Sequence, residues 1–173
     1  AGLANERLGL IEMGCGNGQW SRILADDYKV DVIAFDNMSA VPLNLSLYHN
    51  RTQPSADYFY SKIIQGSHKV FYDRKAQESL KGRVLLVVFP DPGRMAMQSL
   101  LGYTDVDDDN DTFVYVGEGR GGANGDNALF DELESGRWRL LMVENVEGYG
   151  TKGFEKMFVF KRWRAKSNND NNR

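Results

Sequence analysis

The chain has 173 residues, enough for one domain with a buried core. A net charge of −3 gives no global field toward nucleic acid or an acidic membrane, so a polyanionic partner would have to meet a local patch. A single cysteine, Cys15, excludes a disulfide framework and points to a reducing, intracellular compartment, and no apolar run approaches the roughly 20 residues of a membrane span.

Residues 1–7 form a short lead-in without an initiator methionine, as expected of a trimmed or processed chain. Cytoplasm, nucleus and organelle all stay open as locations. Leu8 to Asn37 then reads as strand, glycine turn, helix and strand. Leu8, Leu10 and Ile11 lead to Glu12. Gly14, Gly16 and Gly18 alternate through the turn, where missing side chains let a ligand approach the backbone. From Gln19 to Tyr28, the residues Trp20, Ile23, Leu24 and Tyr28 share one helical face. Val30 to Phe35 is a short apolar strand, and Asp36 stands where it ends. A dinucleotide fingerprint would need its third glycine at position 19, which is Gln19.

The segment Glu12 to Gly18, E-x-G-x-G-x-G, resembles motif I of the class I S-adenosylmethionine-dependent methyltransferases. The resemblance implies S-adenosyl-L-methionine as cofactor. Glu12 and the backbone of Gly14, Cys15, Gly16 and Gly18 would hold its amino-acid end, and Asp36 would take the ribose hydroxyls. An ionised carboxylate suits paired hydroxyls because it accepts two hydrogen bonds at once. Trp20 and Asn37, beside these residues, and Asp73 and Phe89, later in the chain, complete the expected cofactor-binding set. Cys15 reads either as a small buried filler or as a reactive thiol. Many family members carry a helix before the first strand, for which residues 1–7 leave no room.

Asn37 to Gly66 is longer than a single crossover needs. Val41 to Tyr48 is apolar, Asn50 to Ser55 breaks it, and Ala56 to Ile64 is expected as a helix. Asn44 and Asn50 head sequon matches that mean little without a secretory context. Lys69 to Tyr72 is expected as the third strand, ending at Asp73. An acid after that strand often reaches the adenine amine in the family; otherwise Asp73 caps a helix from Arg74 to Lys81. Arg83 to Phe89, apolar on both faces, is expected as a central parallel strand. It runs into Pro90-Asp91-Pro92, a partial match to the family's motif IV. That match implies catalytic roles for Asp91, as hydrogen-bond acceptor or base, and for Pro90 through its carbonyl. The alternative is that the two prolines only shape the turn.

Arg94 to Tyr103 is expected as a helix whose methionines fill the core. Asp105 to Asp111 has Asn110 and Val116 where a calcium loop needs glycine and glutamate, so a solvated loop is expected. His49 and His68 fit no ligand spacing, and no metal is expected. Thr112 to Val116 is the next strand, and the loop Gly117 to Gly122 offers Glu118 and Arg120 to a substrate or contacts nothing. A helix from Asp126 to Leu133 and a hairpin of Arg137 to Asn145 with Phe154 to Arg162 follow. Lys161, Arg162, Arg164 and Lys166 around Trp163 suit an RNA contact or an ordinary solvated strand end. Residues 164–173 are expected as a disordered polar tail behind one domain of residues 1–163.

The resemblance implies an α/β fold, a doubly wound, seven-stranded, mostly parallel sheet of order 3-2-1-4-5-7-6 with an antiparallel last strand. It implies transfer of a methyl group from S-adenosylmethionine to an acceptor left open, a nitrogen on RNA or protein among the candidates. The competing reading is a catalytically inactive, methyltransferase-like scaffold or binding subunit of a larger assembly. The incomplete motif IV favours the scaffold; the intact Glu12, glycines and Asp36 favour retained cofactor binding.

Overall fold

In the computed structural model, residues 7–39, 60–146 and 154–163 are described. The apolar run after Arg83 lies at the middle of the sheet as Val84–Val88 (β4), flanked on one side by Leu10–Met13 (β1) and on the other by Thr112–Gly117 (β5). Beyond β1 lie Val32–Asp36 (β2) and Ile63–Gln65 (β3). Beyond β5 lie Lys156–Arg162 (β7) and, at the edge, Trp138–Asn145 (β6). The order is β3-β2-β1-β4-β5-β7-β6, with β7 antiparallel to both neighbours. The expected α/β architecture is the observed one.

The helices are Gln19–Asp26 (α1), Arg74–Leu80 (α2), Met95–Val106 (α3) and Asn127–Glu134 (α4). Burial on both faces explains why β4 reads as uniformly apolar. Leu85 and Val87 pack with Phe71, Leu100, Tyr103 and Leu129 on one side. Val84 and Leu86 pack on the other with Leu10 and the partly buried Trp20 and Leu24 of α1. Tyr28, expected on that helical face, is 57 % exposed, because α1 stops at Asp26 and Lys29 adopts a φ of +58°.

Two expectations about the third strand fail together. Lys69 to Tyr72 is not a strand; His68–Tyr72 forms a 3-10 helix capped by Ser67, whose hydroxyl accepts the Lys69 N–H. Its apolar character belongs to the helical layer, where Phe71 is fully buried edge-on to Tyr103 at 6.3 Å. The strand beside β2 is Ile63–Gln65, overlapping the end of the segment Ala56 to Ile64 expected as a helix, with Ile63 registered on Ala34. Residues 56–59 of that segment, Val41 to Tyr48, Asn44 and Asn50, the turn at 147–153 and the tail at 164–173 lie outside the described residues.

The acidic stretch after α3 is not simply solvated. Asn110 is fully buried. Its Oδ1 accepts the Gly82 N–H at 2.7 Å and its Nδ2 donates to the Tyr103 carbonyl at 2.8 Å. Asp111 accepts from Arg7 and, at 2.7 Å, from Lys161 Nζ of β7. These bonds tie α3 to Arg7 and to β7 at the amino end of β5. Asn110→Ala would leave a buried donor and a buried acceptor unpaired, and is expected to destabilise the fold by roughly 2–4 kcal/mol in urea unfolding.

Candidate functional site

Strands β1 to β5 run parallel, so the turns after their carboxyl ends gather along one edge of the sheet. The glycine turn after β1 is stitched to the end of β2. Gly14 N and Cys15 N both donate to the Phe35 carbonyl, at 2.8 and 3.1 Å, and Gly16 N donates to Asp36 Oδ2 at 2.9 Å. Asp36 Oδ1 accepts the Met38 N–H at 2.8 Å, and Asn37 Oδ1 accepts that of Ser39 at 2.8 Å. Tyr60 N reaches the Asn17 carbonyl at 2.9 Å, closing the turn against the residues that lead into β3. Glu12, Gly14, Cys15, Gly16, Gly18, Asp36 and Asn37 thus come together from two strand ends.

Gly16 has a φ of +56°, and a Cβ there would meet nothing within 4 Å among the described residues. Toward those residues its backbone is open. At Gly14 the situation reverses: a Cβ would fall 2.9 Å from Met95 Cε. Met95 opens α3 three residues past Pro92, so its side chain, lying over Gly14 where a Cβ would stand, joins the glycine turn to the end of β4. From the sequence Met95 reads as core filling only; a methionine one turn past motif IV is its sole signal.

Glu12 is buried, 1 % exposed, and Oε2 accepts from the hydroxyl of Ser21, the fully buried residue of α1. Burial pushes its carboxyl up to about 7 against that hydrogen bond, and the charge of Asp36 adds to the rise. Burial likewise pushes the Cys15 thiol well above its ordinary value, which fits a packed filler and not a reactive thiolate. Trp20 packs into the core on the α1 side of the sheet.

On the β4 side, Phe89 is 46 % exposed at a φ of +46°, an unusual conformation for a bulky residue, held by its N–H on the Val116 carbonyl at 2.8 Å. Pro90 is buried and Asp91 exposed. The Pro90 carbonyl already accepts from Gly125 N and from Asn124 Nδ2, each at 3.3 Å. Asn124 Oδ1 accepts the Glu118 N–H at 3.2 Å, so this unforeseen residue clamps the β5–α4 loop to the Pro90 turn.

Four other candidate groups find partners within the chain. Glu118 folds its own loop, with Oε2 on the Ala123 N–H at 2.8 Å. Arg120 turns back onto α4, pairing with Asp131 and Glu134 at 2.8 and 3.0 Å over the Phe130 ring. Asp73 takes the second of its two expected roles: its Oδ1 accepts the Lys75 N–H at 2.9 Å and caps α2. Of the basic cluster, Lys161 holds Asp111 and Arg162 donates to the Thr104 carbonyl, while Arg164 and Lys166 lie outside the described residues. Among the described residues no group of His, Cys, Asp and Glu could hold a metal ion, and no helix is long and apolar enough to cross a membrane.

No protein-family model and no curated protein sequence matches the chain. Solved structures do. A Streptococcus pneumoniae protein whose proposed activity is that of a tRNA (m1A22) methyltransferase superposes with a TM-score of 0.57 at 13% identity, over 92% of this chain and 66% of that one. Magnesium protoporphyrin IX methyltransferase from Synechocystis, with S-adenosylmethionine bound, gives 0.54 at 12%, over 90% and 70%. An N-methyltransferase from Bradyrhizobium japonicum gives 0.50 at 11%, over 92% and 90%. The fold is that of the class I methyltransferases. This chain spans just under two thirds of the streptococcal protein's length.

The Glu12 carboxyl keeps its proton up to about pH 7 in the folded chain, against an ordinary value of 4.5. The folded state therefore binds more protons between those values, and this contribution to stability falls as pH rises from about 4.5 to 7. Glu12→Gln should remove that fall, on the order of 3 kcal/mol across the window, in urea unfolding at a series of pH values. A slope equal to that of the parent chain would place the titration elsewhere.

Proposed function

We propose that this chain is an S-adenosylmethionine-dependent methyltransferase whose cofactor lies along the carboxyl edge of β1 and β2. The single observation that carries the reading is the Asp36–Gly16 arrangement: an open glycine backbone beside a carboxylate fixed at the end of β2. A carboxylate has about four acceptor sites, and backbone N–H groups of Gly16 and Met38 take two. Two are left, one on each oxygen, which suits a pair of vicinal hydroxyls. The open backbone at Gly16 gives room for the rest of the cofactor to pass without meeting a side chain. The residues fit the group.

The cofactor supplies a methyl already activated on a sulfonium, so the protein's task is largely alignment. Glu12 and Ser21 brace the strand and helix on either side of the glycine turn. Met95 links that turn to the end of β4, and Asn124 with Gly125 holds the Pro90 turn in place. Asp91, exposed on that turn, is the residue positioned to accept a proton or hydrogen bond from the nucleophile. Such a group suits an acceptor nitrogen that must lose a proton, and RNA and protein amines are the candidates to screen. The Pro90 carbonyl, already engaged by two donors, serves the turn.

The test is calorimetric titration of the purified chain with S-adenosylhomocysteine, with NADH as control. Micromolar binding of the former alone is expected; binding of NADH alone, or of neither, overturns the reading. Asp36→Ala should weaken binding by roughly 1–3 kcal/mol, through unsatisfied hydroxyls and a released Gly16 amide. Affinity equal to that of the parent would mean that Asp36 serves the turn only. Asp91→Ala should leave this affinity unchanged and lower transfer by about 100-fold or more once an acceptor is in hand. Transfer at the parent rate would reduce Asp91 to turn architecture.

A further inference from the structure

Strand β6 ends the sheet. Among the described residues it pairs only with β7, so its outer row of backbone N–H and C=O groups faces no strand. Along it Leu140, Leu141, Met142 and Val143 are 48, 53, 38 and 40 % exposed. Edge strands usually avoid such a row by being short or by carrying proline or inward charge. The opposite edge, β3, is three residues long; β6 has eight residues and no proline.

β6 also carries a bulge between Leu140 and Met142. Bulges commonly twist an edge away from partners. Here the bulge also resets the alternation of side chains along the strand. Leu140 is registered on Phe160 and Val143 on Phe158, so these two share one face although three positions apart. Arg139 is registered on Lys161 and Glu144 on Met157, so they share the other face. In a two-fold antiparallel pair, facing residues must share a face and a hydrogen-bonding phase. A regular strand meets that condition only for residues an even number of positions apart. The bulge opens registers that are otherwise forbidden.

We propose that β6 pairs with β6 of a second copy of this chain, antiparallel about a two-fold axis between Leu141 and Met142. One continuous sheet then runs through both molecules. In this register Arg139 faces Glu144 of the second copy, twice by symmetry. Leu140 faces Val143, Leu141 faces Met142 and Trp138 faces Asn145. Opposite charges meet and apolar residues meet, which is what stabilises cross-strand neighbours. Shifting the register by one position would set Leu140 against Glu144 and bring opposite faces together. Arg139 is kept in place by the Trp163 ring, 4.9 Å from its guanidinium carbon. The pairing also lays Val143 of the second copy beside Leu140, at a cavity of about 380 Å³ lined by Tyr115, Phe130, Trp138, Phe158 and Phe160. Apolar surface on that face is thereby covered.

The test is sedimentation equilibrium of the whole chain from micromolar to submillimolar concentration, with far-UV circular dichroism confirming that each variant is folded. A monomer–dimer equilibrium is expected for the parent. Leu141→Lys, at the centre of the exposed row, should leave a folded monomer. Arg139→Glu sets acid against acid and Glu144→Arg sets base against base. Each alone should weaken the dimer roughly tenfold, and the two together should restore it. A parent chain that stays monomeric overturns the proposal, as does a dimer indifferent to Leu141→Lys. Failure of the double exchange to restore association overturns the register.

Discussion

The hydrogen bond from Gly16 N to Asp36 Oδ2 is the constraint on which the site depends. It joins a turn that has no side chains to order it with a strand end that is ordered by the sheet. With the Gly14 and Cys15 amides on the Phe35 carbonyl, it fixes the glycine turn in one conformation while leaving the Gly16 backbone open. A flexible glycine loop would have to be ordered at each binding event; one already stitched to β2 avoids that entropy loss. The buried Glu12–Ser21 bond braces the same turn from behind, linking β1 to the first turn of α1.

The opposite end of the sheet does the complementary work. Asn110, Tyr103 and Asp111 bind α3, β5, β7 and Arg7 to one another, so the amino ends of the strands are held by buried polar bonds. The carboxyl edge can then carry exposed and strained groups. Phe89, at positive φ and nearly half exposed, is one such group, and strain of this kind persists only where the surroundings hold it. Here the Val116 carbonyl and the Asn124 clamp on Pro90 supply the hold.

Much of the fold was legible in the chain because its signals are local. The run from Val84 to Val88 is apolar at every position, and the glycine turn lies between a strand and a helix of ordinary length. The third strand was not legible. At three residues Ile63–Gln65 has no period to read, while Lys-Val-Phe-Tyr looks like a strand although its Phe71 is buried in the helical layer. Asp73, expected either after that strand or as a helix cap, is the cap of α2. The roles of Asn110 and Asn124 depend on partners 28 and 34 positions away, which no local pattern announces. Arg120 looked available because nothing in Gly-Glu-Gly-Arg-Gly-Gly hints at the acids of α4 that capture it. Sequence therefore read the glycine turn and the end of β2 well and the loops after β4 and β5 poorly, since the second region is built from contacts between loops.

The most direct test of the account is an amide NMR titration of the whole chain with S-adenosylhomocysteine. The N–H groups of Gly14, Gly16, Gly18 and Met38 are expected to shift together and saturably, while those of β6 and of Gly119 to Gly122 stay in place. Shifts that cluster instead at β6 or at the β5–α4 loop, or no shifts at all, would contradict the placement of the cofactor against Asp36 and Gly16.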